Sequence, residues 1–113
     1  MQNFRPGDFL IFQLESGYGL LRILDIRGTK NDPVWHLAAY KDLFMDVEMA
    51  DTALQSPDLL TLEKPHVALT NRAFESTPVA KMINVPVNEE ETRRLTEIRE
   101  LSDRSIRLLL GFR

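Results

Sequence analysis

The hydrophobic positions change period about a third of the way along the chain, and that change sets the expected architecture. Residues 9–14 are Phe-Leu-Ile-Phe-Gln-Leu, a run too short for a good helix and rich in strand formers, entered from the turn residues Pro6, Gly7 and Asp8. Glu15, Ser16 and Gly17 can reverse the chain. Residues 18–27 then alternate, with Leu21, Ile23 and Asp25 on one face and Leu20, Arg22, Leu24 and Ile26 on the other. Both segments are apolar on two faces, as a hairpin needs when one side meets a barrel interior and the other is partly covered. A second turn cluster at 28–33 leads into residues 34–41, the third strand of a meander. There Val34, His36, Ala38 and Tyr40 share one face, and Trp35, Leu37 and Ala39 the other.

Beyond Lys41 the period lengthens. Asp46 is placed to cap a helix over 47–55, whose apolar stripe would be Val47, Met49, Ala50, Ala53 and Leu54. Ser56, Pro57 and Asp58 end it. Residues 59–62 and 66–69 are predicted as two short extended segments separated by Glu63, Lys64 and Pro65, the proline marking an edge or a bend. Thr70 caps one helical turn reaching Phe74, and residues 79–87 are extended. The clearest local signal is Asn88 followed by three glutamates, an N-cap with acids in the first helical turn, which predicts a helix over 89–101. Leu95, Ile98 and Leu101 would form its buried stripe. Glu89 with Arg93 and Glu90 with Arg94 are spaced for i,i+4 pairs on a solvated face. Residues 106–110, short and bounded by Gly111, are predicted as a last strand. The expected class is therefore α+β, in a single domain over 1–113.

Composition narrows the function more than the fold. The chain has 113 residues, 43% of them hydrophobic, which suffices for a core without staples, and no cysteine, which excludes disulfides and thiolate metal sites. With 14 basic against 17 acidic side chains, no general field attracts nucleic acid, and a nucleic-acid partner is disfavoured. Arg93, Arg94, Arg99, Arg104, Arg107 and Arg113 crowd the C-terminal third, but Asp103 and the preceding glutamates blunt them into a solvated face. Uninterrupted apolar stretches such as 9–12 and 37–40 fall far short of the roughly 20 residues that span a bilayer. The first residues lack the apolar core of a signal peptide, so a cytoplasmic location and no membrane association are expected.

Catalytic patterns are sparse. Ser16 lacks the flanking glycines of a nucleophile elbow, and Gly17 with Gly19 is a bare G-x-G better explained by turns. His36 and His66 lie on separate predicted strands without helical ligand spacing, so neither a metal nor another cofactor is expected. The more informative group is Tyr18, Trp35, His36 and Tyr40, amphipathic rings beside polar turns of the kind that anchor protein interfaces. They are the candidate binding residues of a non-catalytic protein that acts by contact with another protein. The alternative is a small enzyme or ligand-binding domain in which His36, Asp42 and His66 meet in a cleft as acid, base and orienting group.

Over residues 6–27 the run P-G-D-F-L-I-F-Q-L-E-S-G-Y-G-L-L-R-I-L-D-I resembles the opening of small SH3-like barrels, where a G-D turn starts one strand and a G-Y-G turn leads into the next. Among these it is most similar to immunity proteins of bacterial polymorphic toxin systems, which begin G-D-hydrophobic-x-x-x-L-x-x-G-x-Y/F-G. The resemblance implies an SH3-like barrel or half-barrel, and the α+β reading places the 89–101 helix across one opening of it. It also implies a bacterial protein that blocks a cognate toxin without catalysis, and it assigns no binding residue. The rest of the chain resembles uncharacterised bacterial proteins. An open meander leaves edges on which a second copy could pair as a homodimer, although Lys41, Pro65 and Pro86 could protect them.

Overall fold

The three N-terminal strands form where the turn residues place them. In the computed structural model, which describes residues 3–96 and 100–111, β1 spans Asp8–Leu14, β2 Gly17–Gly28 and β3 Pro33–Tyr40. They pair antiparallel in sequence order, with Leu10 opposite Leu21 and Ile23 opposite Leu37. The register slips between Ile23 and Asp25, so that β2 carries a bulge at Leu24. One extra residue reverses the alternation beyond it. Ile26 therefore packs with Leu21 and Ile23, and not with Leu20 as strict alternation predicts.

The fourth strand corrects one expectation. Residues 62–70 form a single strand, β4 (Leu62–Thr70), antiparallel to β3, while a 3-10 turn occupies Pro57–Leu59. Pro65 is accommodated because the β3–β4 ladder is irregular around Ala39 and because the next strand touches β4 only at Ala68 and Leu69. The outer side of β4 at Pro65 carries no ladder that needs its missing N–H. β5 (Val79–Asn84) returns to the free edge of β1, and β6 (Leu101–Ser102) adds parallel to β4. The strand order is β5-β1-β2-β3-β4-β6. The fold is α+β, built on a mixed sheet that is not closed.

Among the described residues four short helices lie along this sheet: α1 (Val47–Ala53), α2 (Asn71–Glu75), α3 (Glu89–Arg94) and α4 (Ile106–Leu109). One cluster joins Leu10, Phe12, Leu21, Ile23, Leu37 and Leu69 to Phe74 of α2 and Ile106 of α4. A second joins Phe9, Ile11, Leu20 and Tyr40 to Ala50 and Leu54 at α1. Each fully buried Leu, Ile or Phe contributes roughly 1.5–3 kcal/mol, so both layers stabilise the sheet and the short helices depend on it.

Three helical expectations change. The 89–101 helix stops at Arg94. Its capping box forms as expected, with the Asn88 side chain accepting from the Glu91 N–H, but Leu101 opens β6 and is half exposed, and Ile98 lies outside the described residues. A cap starts a helix; an apolar stripe held by tertiary packing is what extends one. The surface pair that forms is Arg93 with Glu90, at i,i+3. Residues 106–109 are helix and not strand, because Ser105 accepts from the Leu108 N–H as an N-cap and Ile106 drops into the first cluster. On α1, Asp46 caps as expected, yet only Ala50 and Leu54 are buried, leaving Val47 and Met49 exposed.

Candidate functional site

The four candidate aromatic positions do not share one surface. Trp35 is half buried in the first layer, stacked on Phe74 with centroids 3.9 Å apart and met edge-on by Phe4 at 6.1 Å. Its indole N–H donates to Asn71 Oδ1 at 3.0 Å. Tyr40 is buried in the second layer beside Phe9. Burial there, reinforced by the Glu91 charge, pushes its phenol up to about 12. Tyr18 is half buried in the same layer, its backbone exchanging hydrogen bonds with Phe44 at 2.8 and 2.9 Å. Trp35 and Tyr40 thus fasten opposite faces of β3.

His36 meets His66 across β3 and β4, with Nδ1 of the first 2.8 Å from Nε2 of the second. One imidazole must donate and the other accept, so this contact exists only while the pair lacks its second proton. Burial lowers the His36 pKa below its ordinary value, and the nearby Arg27 guanidinium lowers it further against a partial offset from Asp25. Asp42, the third member of the alternative cleft, is elsewhere: it lies past the end of β3, where its Oδ1 accepts from the Thr61 N–H at 2.6 Å. The carboxylate opposite His36 in the ladder is Asp25, and that is engaged by Arg27 at 2.7 Å. Among the described residues no group of three His, Cys, Asp or Glu side chains could hold a metal ion.

A buried ion pair escaped the sequence reading. Arg22 and Glu91 are both almost fully enclosed, and the guanidinium forks onto the carboxylate, Nε to Oε2 at 2.8 Å and Nη2 to Oε1 at 3.0 Å. Nη1 donates to the Gly7 carbonyl at 2.6 Å, Nη2 also reaches the Pro86 carbonyl, and the Phe9 ring lies 4.5 Å from the guanidinium carbon. Burial pushes the Glu91 pKa up, but hydrogen bonds from Arg22 and from the Asn88 N–H, with the Arg22 and Arg94 charges, outweigh it and leave the carboxyl below its usual range. Glu91 is thereby held ionised at the floor of a cavity of about 410 Å³. Its chemistry is that of a clamp, tying α3 to β2. The signal for it was Arg22 itself, a charge within the apolar alternation of Leu20 and Leu24.

The most exposed apolar surface lies just past β3. Phe44 packs into the second cluster and pairs with Tyr18, while its neighbours Leu43 and Met45 point outward, Met45 with 81% of its surface exposed. The segment is held close because Gly17 lets the Phe44 carbonyl approach where a Cβ would collide. Asp46 then caps α1 by accepting from the Met49 N–H at 2.8 Å, and the turn presents Val47 and Met49 to solvent. Asp42, Asp46, Glu48 and Asp51 are interleaved with these side chains, and the adjacent cation, Lys41, is drawn toward Glu63 at 3.7 Å. The result is an apolar ridge in an acidic frame.

No helix among the described residues is long and apolar enough to cross a membrane. In comparisons with known proteins, no family model, no curated protein and no solved structure matches the chain.

Proposed function

We propose that the protein is a non-catalytic binding module that acts by docking the ridge at residues 43–49 onto a partner protein with an apolar hollow rimmed by basic side chains. The observation that carries this is the exposure of Leu43, Met45, Val47 and Met49 within seven consecutive residues. Scattered exposed apolar residues are ordinary, but a dense set framed by charge marks a contact surface, and methionine adapts its shape to a partner. The acidic frame selects the partner's charge and speeds encounter. Tyr18 supports the ridge from behind, and Trp35, His36 and Tyr40 hold the sheet on which it stands.

The toxin-blocking role of immunity proteins is the specific form this reading takes. It is supported by the N-terminal resemblance and by the strand path, in which β5 returns to β1 after a four-strand meander, as an SH3-like half-barrel requires. The test is photo-crosslinking in the native host from a benzoylphenylalanine at position 45. The expected result is one dominant heterologous adduct, weakened by 0.5 M salt and lost in the Met49→Ser, Val47→Ser background, while that background keeps its cooperative melt. An adduct indifferent to those substitutions, or one formed only with a second copy of the chain, overturns the proposal.

A further inference from the structure

We infer that the cleft between α2 and α4 binds a small doubly charged oxyanion, a phosphate or the phosphate of a monoester. The cleft, of about 530 Å³, is lined by Arg72 on α2, Arg104 ahead of α4 and Arg107 on α4, with Thr77, Ser105 and Asp103. Arg72 is distant in sequence from Arg104 and Arg107, and the fold brings it to them where α4 docks beside α2.

Three guanidinium groups against one carboxylate leave two positive charges in the lining. Asp103 does not cancel the site; it orients one wall of it. Its carboxylate ion-pairs with Arg72 and accepts from the Thr70 hydroxyl at 2.6 Å, which fixes Arg72 beside the opening. Among the described residues the Arg104 and Arg107 side chains have no carboxylate partner.

A second observation points to a ligand. Among the described residues, Arg107 Nε and Thr77 Oγ1 are buried polar atoms without a hydrogen-bond partner, and Thr77 as a whole is only 3% exposed. Buried donors are ordinarily satisfied, and each one left unpaired destabilises the fold. Both belong to the lining of the same cationic cleft. With an oxyanion in the cleft, a small shift of the lining would bring acceptors to these two enclosed atoms, and a guanidinium fork matches two of its oxygens at once. A nucleic-acid strand is not implied, since the surrounding charge is near balance. The site is independent of the ridge at 43–49.

Sodium phosphate is the probe, titrated against sodium chloride at equal ionic strength, with arginine Nε–H resonances and the melting temperature as readouts. The expected result is a saturable shift of the Arg107 Nε–H resonance and a rise in melting temperature that chloride and acetate do not reproduce. Arg104→Gln with Arg107→Gln should weaken binding at least about tenfold, since two charge-assisted contacts are lost. Should that pair of substitutions impair folding, Thr77→Val provides the second arm: it should raise the melting temperature of the phosphate-free protein by about 4 °C and weaken phosphate binding. Tighter binding of phenyl phosphate than of phosphate would assign the monoester, and equal binding the free ion. A response that chloride or acetate equals, or phosphate affinity unchanged in the substituted proteins, overturns the inference.

Discussion

Arg22 occupies a position in β2 flanked by the buried Leu21 and Ile23, and its burial is tolerable only because each nitrogen of its guanidinium finds an acceptor. Removing one partner leaves a buried charge unmatched, so Glu91→Leu alone should cost about 3–5 kcal/mol in urea unfolding. The double change Arg22→Met, Glu91→Leu should be markedly less damaging than the single one; strict additivity would mean the two residues act separately. Acid titration gives a second reading of the same pair. The folded-state pKa of Glu91 lies below the ordinary 4.5, so its stabilisation is present above that value and drains away as pH falls through the lower folded value. His36 acts in a higher window. Because the folded pKa of His36 lies below 6.5, the unfolded chain takes up its proton first, and stability should fall as pH drops from above 6.5 toward the folded value. Chemical denaturation at pH 7.5 and 5.5 should show that loss, and His36→Asn should flatten it; an unchanged slope would remove His36 as the cause.

At the scale of elements, local chemistry decides where each helix begins and packing decides how far it runs. Asp46, Thr70 and Asn88 all cap as their spacing predicts, each accepting a backbone N–H from three residues ahead. Ser105 does the same for α4, and its presence was the available signal against a final strand. The ridge at 43–49 depends on one contact of this scale, the closeness of Gly17 to the Phe44 carbonyl. Gly17→Ala should push the segment away from β2. Amide exchange at Tyr18 and Phe44, whose N–H groups now bond each other's carbonyls, should accelerate far more than exchange across the Leu10 and Leu21 pairing. Uniform acceleration across the sheet would show instead that Gly17 supports the whole fold.

Across the molecule, the sheet is bounded by β5 on one side and the two-residue β6 on the other, and both edges must resist pairing with another chain. Lys81, exposed on β5 and 3.6 Å from the buried Asp8 carboxylate, is the charge that guards the longer edge. Lys81→Val should increase the weight-average mass in sedimentation equilibrium at high concentration, and a mass identical to that of the unchanged protein would assign the protection elsewhere. The same charge balance bears on function: a near-neutral molecule with a framed apolar ridge is suited to selective docking, while the cationic cleft between α2 and α4 is a local exception to its acidic total.

The strands of the meander, the α+β class and three of the helix starts were legible from the chain alone, because alternation, turn residues and capping side chains act over a few neighbouring positions. The sequence also marked Trp35 and Tyr40 as residues of weight. Only the tertiary structure settled what they touch: a bulge at Leu24 redirected Ile26, Trp35 stacked on Phe74 while Tyr40 packed beside Phe9, and Glu91, expected on a solvated helix face, became the buried partner of Arg22. Those outcomes rest on register and on contacts between segments far apart in the chain. Local pattern carries no information about such contacts, whose energy exists only once both segments are in place.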